Sequence, residues 1–292
     1  MKLKTGISLL LAGATLSLAI VSCKKTNTTP SSSTDSDTSV AADNSLAEGI
    51  YNDVQNISDQ ASNGDLKFYS PTYNPQNIIS SNDLQTFEKN SCATITHDSL
   101  SIPRTLTIDF GTTNCLCQDG KNRRGQINIS YTGKYRDSGS VHTVSFTNFF
   151  VNDNQVIGSK TVTNNGINTN GHTSFSIVVD GQIIKANNAG TLTWKSNRTR
   201  EWLAGEDTKK DWTDDVYSIT GNTTGSNSNG NSYTAEITTP LHRALNCHWF
   251  DAGVIEVNQT GKVLKTIDYG TGSCDDAATV TILGKTYPIS LK

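Results

Sequence analysis

The sequence lacks several features that usually reveal a function. It has no block of like charge and no basic excess, which argues against a nucleic-acid partner because phosphate binding requires clustered Lys and Arg. Beyond residue 21 it has no apolar run of about 20 residues that would span a bilayer as a helix. Charged residues make up only 17% of the chain, and Ser, Thr, Asn and Gly are abundant, a balance typical of exported β-proteins with many turns.

Catalytic and cofactor motifs are also absent. The five histidines form no H-E-x-x-H pattern, and the chain has no G-x-S-x-G elbow, no P-loop and no G-x-G-x-x-G. We therefore assign no cofactor and no catalytic residue. A periplasmic or surface hydrolase is kept as the alternative function, because the paired carboxylates of a glycosidase can be dispersed along a sequence.

The amino terminus has the pattern of an export signal. Lys2 and Lys4 precede an apolar run from Ile7 to Val21, and the stretch Ile20-Val21-Ser22-Cys23 resembles the lipobox of bacterial lipoproteins. Leu is usual where Ile20 stands, and an ordinary secretory signal is the alternative. We predict that residues 1–22 are a signal peptide and that the mature chain begins at Cys23.

This resemblance implies a lipid anchor. Lipoproteins of this type carry a diacylglyceryl thioether on the cysteine and an acyl chain, typically palmitate, on the new amino terminus. Two or more chains hold a protein stably on a bilayer. We therefore predict an outer-membrane protein whose partner is the bilayer, through acylated Cys23. The membrane face is left open, although Lys24 and Lys25, in place of acidic residues, favour the periplasmic one.

A tether and one helix are predicted next. Residues 23–42 are rich in Ser and Thr and too poor in apolar residues to order themselves. Residues 43–63 predict an amphipathic helix that is capped by Asp43 or Asn44 and docks on the β-body. Its apolar face is formed by Leu46, Ile50, Val54 and Ile57.

The remainder, residues 64–292, predicts a mainly β body. From about residue 100 the apolar period is two, and short Gly-containing turns separate the runs. We expect an antiparallel meander that forms a sandwich or a strongly curved sheet. The eleven or so predicted strands are 106–110, 127–131, 141–146, 175–179, 190–194, 216–220, 233–238, 254–257, 263–269, 279–283 and 287–291.

One nine-residue segment occurs twice. TIDFGTTNC at 107–115 returns as TIDYGTGSC at 266–274, and each copy has a cysteine upstream. Six of the nine positions are identical, which indicates duplication of a β-unit. These two segments, with residues 119–125, the Tyr131-Thr132-Gly133 strand end and Asp275-Asp276, resemble a family of uncharacterised Bacteroidetes lipoproteins over most of the mature chain. The resemblance implies an exported, membrane-anchored protein and no particular activity.

The repeat also predicts the disulfides. An oxidising compartment favours pairing, and the matched copies suggest Cys92–Cys115 and Cys247–Cys274, with Cys117 left over. A metal site built from Cys115, Cys117 and His97 is a weaker alternative, since zinc prefers four well-spaced ligands.

Carboxylates near turns are possible calcium ligands. Asp109 and Asp268 hold equivalent places in the repeat, and Asp119 follows the first copy. No EF-hand-like loop is present, so we expect these acids to cap turns or to pair with Arg123 or Arg124, and we assign no metal.

An aromatic strip is the best candidate for ligand binding. Trp194, Arg198, Arg200 and Trp202 share a face if they lie on one strand. They predict either a surface for a glycan or an envelope protein, or packing of Trp194 and Trp202 with the arginines on a solvent-exposed edge. Of the two rings, we expect Trp194 in the core and Trp202 exposed. The function favoured by the sequence is that of a membrane-anchored, non-enzymatic β-scaffold.

Overall fold

The computed structural model describes residues 36–62, 92–98, 100, 102–117, 119–208 and 211–291. They belong to one compact unit, Asp35–Lys292. The predicted signal peptide, Cys23 and most of the predicted tether lie outside the described residues.

The described chain forms one helix and a single antiparallel sheet of fourteen strands. Successive strands are neighbours throughout, except that the short β3 pairs only with β4, so the predicted mainly β meander is confirmed. The strands are β1 (Thr94–Asp98), β2 (Arg104–Asp109), β3 (Cys115–Leu116), β4 (Asn122–Tyr131), β5 (Val141–Val151), β6 (Asn154–Ile167), β7 (Thr173–Ile184), β8 (Thr191–Ala204), β9 (Val216–Ser226), β10 (Ser232–Ala244), β11 (Ala252–Gln259), β12 (Lys265–Thr271), β13 (Ala277–Ile282) and β14 (Lys285–Ser290).

The sheet is strongly curved and wraps around the helix α1 (Ser39–Ser62). Helix side chains contact strands that are far apart in the strand order: Asp53 reaches β4, Glu48 reaches β8 and Ser45 reaches β12. A flat sheet cannot contact one helix at strands as far apart as β4 and β12. The edge strands β1 and β14 do not pair with each other in the described chain, so the roll stays open.

The helix differs from the prediction in its start and in its surroundings. It begins at Ser39, inside the predicted tether, where the Asp37 carboxylate accepts the Ser39 amide at 2.9 Å, as an N-terminal cap does. Asp43 and Asn44 therefore do not cap it. The helix was expected to dock by one apolar face, but most of its circumference is buried, including Glu48 and Asp53.

Close approach between helix and sheet depends on a glycine in β7. The Tyr51 ring stacks on Trp194 at 5.2 Å between centroids, and its hydroxyl donates to the Ile157 carbonyl at 3.0 Å. A Cβ added to Gly181 would lie 1.9 Å from that hydroxyl oxygen. Gly181 is thus required for the tyrosine to reach the backbone of β6.

The two repeat copies form equivalent disulfide-closed hairpins. The pairs Cys92–Cys115 and Cys247–Cys274 lie at bonding distance, as predicted, and enclose β1–β2 and β11–β12 respectively. Each copy places an isoleucine and an aromatic ring inward, as Ile108 and Phe110 in one and Ile267 and Tyr269 in the other. The hairpins lie near opposite ends of the strand order, so the duplicated units form the two flanks of the rolled sheet.

Candidate functional site

The predicted aromatic strip lies inside the roll. Trp194, Arg198, Arg200 and Trp202 do share one face of β8, as their parity predicts, but all four are 6% exposed or less. The expectation that Trp202 is an exposed ring is wrong: its indole nitrogen donates to Asp215, and the Arg136 guanidinium covers its face at 4.2 Å. The burial supports the packing alternative.

The arginines of this strip bind the helix. Arg198 donates to the Glu48 carboxylate at 3.2 Å through Nε, and to the Thr223 hydroxyl at 2.7 Å. Arg200 donates to Asp59 at 3.0 Å and lies 4.2 Å above the Tyr217 ring. Buried charges require such partners, so these side chains have a structural role.

One narrow face of the helix is not covered by the sheet. Between residues 40 and 59 only four positions are not fully buried, and their spacing of four, three and three places them on one side: Ala42, Leu46, Gly49 and Asn52. We call this side of the helix, with the sheet segments that border it, the seam.

The seam contains a cavity of about 380 Å³. Its walls come from the first half of the helix, the turn between β5 and β6, Lys185 after β7, and the end of β14. Half of the twelve lining residues are apolar: Ala42, Leu46, Ile50, Val151, Ile289 and Leu291. The others are polar or charged: Asp43, Ser45, Asn152, Asn154, Lys185 and Ser290. A concave, mainly apolar space of this size with a few polar groups is the usual form of a small-molecule site.

Among the described residues, Lys185 supplies the positive charge of this cavity. The Lys185 ammonium donates to Asp43 at 2.7 Å, and its side chain is 25% exposed. Asp43 is nearly buried and also accepts the Ser228 amide at 2.7 Å. The carboxylate is therefore held by two donors, whereas an ammonium has three hydrogens and can bind further acceptors.

A second, smaller cavity of about 20 Å³ continues along the seam past Ser45 and Leu291. Polar groups line it, among them Asp53, Lys121 and His248. Burial lowers the pKa of His248 to about 4, so its imidazole is neutral at neutral pH. The space is large enough for one water molecule.

The carboxylates beside this small cavity are neutralised by a buried arginine. Arg123 donates to Asp119 at 2.7 Å and also binds Asp53 of the helix, while Lys121 lies 3.7 Å from Asp53. Although burial opposes the charged form, Arg123 holds the pKa of Asp119 below its ordinary value. The predicted pairing of Asp119 with Arg123 is confirmed. The adjacent Cys117 is fully buried and stays outside both disulfides.

Two acids have the raised pKa expected of a proton donor, Asp59 of the helix and Asp215, and burial is the main cause for both. Burial raises the pKa of Asp215 to about 8, with Asp214 adding to the shift and Arg136 opposing it. Its carboxylate accepts from the Trp202 indole at 3.2 Å, and it lines neither seam cavity. A raised pKa without access to a substrate does not make a general acid.

The turn acids behave as turn caps. Asp109 accepts the Gly111 amide and Asp268 accepts the Gly270 amide, each at 2.8 Å. Across the described residues no three His, Cys, Asp or Glu side chains converge as metal ligands would.

The seam residues were missed by the sequence analysis. Ala42 falls in the predicted tether, Lys185 lies between the predicted strands 175–179 and 190–194, and Leu46 and Ile50 belong to the helix face expected to dock on the β-body. The spacing of Ala42, Leu46 and Gly49 was the available signal, but it identifies a site only when the remaining faces of the helix are known to be covered.

Within the described part of the chain, no helix is long and apolar enough to cross a membrane. Compared with protein-family profiles, with curated proteins and with solved structures, the chain matches none.

Proposed function

We propose that this protein is a lipid-anchored, non-enzymatic binding scaffold of the bacterial outer membrane, and that the seam cavity is its ligand site. The observation that carries the proposal is the 380 Å³ cavity, which is mostly apolar and has one ion pair in its wall. The anchor is supported by the lipobox-like segment ending at Cys23.

The buried aromatic strip changes the expected ligand. Stacking on a glycan requires exposed rings, but Trp194, Trp202 and Trp212 are all buried. An apolar small molecule in the seam is therefore better supported than a sugar polymer on β8.

A hydrolase is less well supported. Two catalytic acids must face a common space, whereas Asp43 is the one carboxylate among the described residues that line the larger cavity. The acids Glu48, Asp53 and Asp59 point into the roll, where arginines neutralise them.

The cavity is tested with Nile red, a neutral dye that fluoresces in apolar surroundings. Ala42 is an exposed helical residue in the cavity wall, so Ala42→Trp fills the cavity without disturbing the core. We expect saturable dye binding that this variant lowers at least tenfold. The matched control is Ala204→Trp on β8, which is exposed and lies outside the cavity. Equal dye binding by both variants would refute the site.

The anchor is tested by fractionation. The Cys23→Ser chain should leave the detergent phase, because its acyl chains are lost. Retention equal to that of the unaltered protein would place the anchor elsewhere.

A further inference from the structure

We infer that the ligand of the seam cavity is a long-chain fatty acid, with its carboxylate on Lys185 and its hydrocarbon chain along the apolar wall. This inference rests on the proposed function and specifies the chemical class of the ligand.

The apolar wall suits a flexible single chain. Leu46 and Ile50 of the helix face the same space as Val151 of β5 and Ile289 and Leu291 at the end of the chain. The cavity has room for about a dozen methylene-sized groups, taking ~30 Å³ for each as for a water molecule. None of the described residues that line this cavity is aromatic, so stacking with a planar ligand has no partner among them.

The charge of the wall favours a carboxylate at one end. Within the part of the chain that the structure describes, Lys185 has one carboxylate partner, Asp43, which also accepts the Ser228 amide. The second lysine of the seam differs, since Lys121 lies within 4 Å of both Asp53 and Asp119. An incoming anion therefore meets an available ammonium hydrogen at Lys185 and two competing carboxylates at Lys121.

A chain-length series tests the apolar part. The exported, unlipidated Cys23→Ser chain requires no detergent and can be titrated by calorimetry with the saturated carboxylates from octanoate to hexadecanoate. Affinity should rise about fourfold per added methylene, from ~0.8 kcal/mol for each buried group. The rise should stop near dodecanoate or tetradecanoate, when the cavity is full. Ala42→Trp should abolish binding, and Ala204→Trp should leave it unchanged.

The head group is tested with the matching alcohols. Dodecanoate should bind at least tenfold more tightly than dodecanol, because a hydrogen bond to a charged group is stronger than one to a neutral group. Lys185→Met should remove this difference, because dodecanoate loses its charged partner and should bind at least tenfold more weakly. Since that variant leaves Asp43 without its cation, the double variant Asp43→Asn/Lys185→Met serves as a second test that removes both charges. Lys121→Met is the matched control and should preserve the preference for the carboxylate.

The outcomes separate the inference from the proposed function. If dodecanol and dodecanoate bind equally, and Ala42→Trp still abolishes both, the cavity is a ligand site and the anionic class is wrong. If dodecyl phosphate binds through Lys185 more tightly than dodecanoate, the fatty-acid assignment is likewise overturned. If no chain binds but Nile red still distinguishes Ala42→Trp from Ala204→Trp, the site stands and the inference fails. If the dye makes no distinction either, both fail.

Discussion

The ion pair between Glu48 and Arg198 fastens the helix to the middle of the sheet. Both side chains are about 5% exposed or less, and Arg198 also donates to the Thr223 hydroxyl. Removing one member of a buried pair leaves the other charge without a partner in a low-dielectric interior. Breaking a surface ion pair costs less free energy, because water solvates the charge that remains.

We predict that Glu48→Met lowers the free energy of unfolding by about 3–5 kcal/mol. For a body of this size, each kcal/mol shifts the melting temperature by ~2–4 °C, so the fall should be on the order of 10 °C. The double variant Glu48→Met/Arg198→Met should recover most of this loss, because it removes both charges and keeps similar side-chain volumes.

The measurement is urea unfolding at neutral pH, followed by tryptophan fluorescence. Strand β8 provides a matched control, since Lys195 on its outer face pairs with Asp180 at 2.8 Å with both side chains over 60% exposed. Asp180→Met should lower stability by less than about 1 kcal/mol. If Glu48→Met is no more harmful than Asp180→Met, or if the double variant is less stable than both single variants, the argument from burial is refuted.

Three further predictions concern buried groups and the disulfides. Burial lowers the pKa of Lys160, which donates to the Tyr51 carbonyl, from 10.5 to about 7. The folded state therefore loses this proton at a lower pH than the unfolded state, and the free energy of unfolding should rise between about pH 7 and 10.5 by up to ~1.4 kcal/mol per pH unit. Lys160→Met should remove that rise in urea titrations. Parallel pH profiles of the two proteins would contradict this. Burial raises the pKa of the Cys117 thiol to about 11, so iodoacetamide should alkylate it only in denaturant, and rapid labelling of the native protein would show that its pocket opens. Replacing both cysteines of the Cys247–Cys274 bridge, 27 residues apart, with alanine should lower the free energy of unfolding by roughly 3–4 kcal/mol, and an unchanged urea midpoint would argue against a bond there.

The periodicity of two was sufficient to predict most of the sheet, and it failed where inward positions are polar. Strand β6 was missed because two of its four inward positions, Lys160 and Asn164, are polar, whereas Val156 and Val162 are apolar. The short strands β1 and β3 were missed because they carry almost no buried side chains.

Polar residues at inward positions also explain why the buried face of β8 was predicted wrongly. Its inward positions include Arg198 and Arg200, and its outward positions Lys195 and Glu201, so both faces contain charged residues. Parity correctly grouped the two tryptophans with the two arginines but did not say which face was buried. The buried face is the one whose arginines have acidic partners on the helix. These partners, Glu48 and Asp59, lie about 150 residues earlier in the chain.

The sequence by itself determined what depends on neighbouring residues or on a matched repeat. Strand alternation, the apolar stripe of the helix and the pairing of Cys92–Cys115 and Cys247–Cys274 all belong to this class. Only the tertiary structure decided that the sheet rolls around the helix and leaves a seam beside Leu46. That outcome depends on long-range ion pairs and on the accumulated curvature of fourteen strands, and neither is encoded within any short segment.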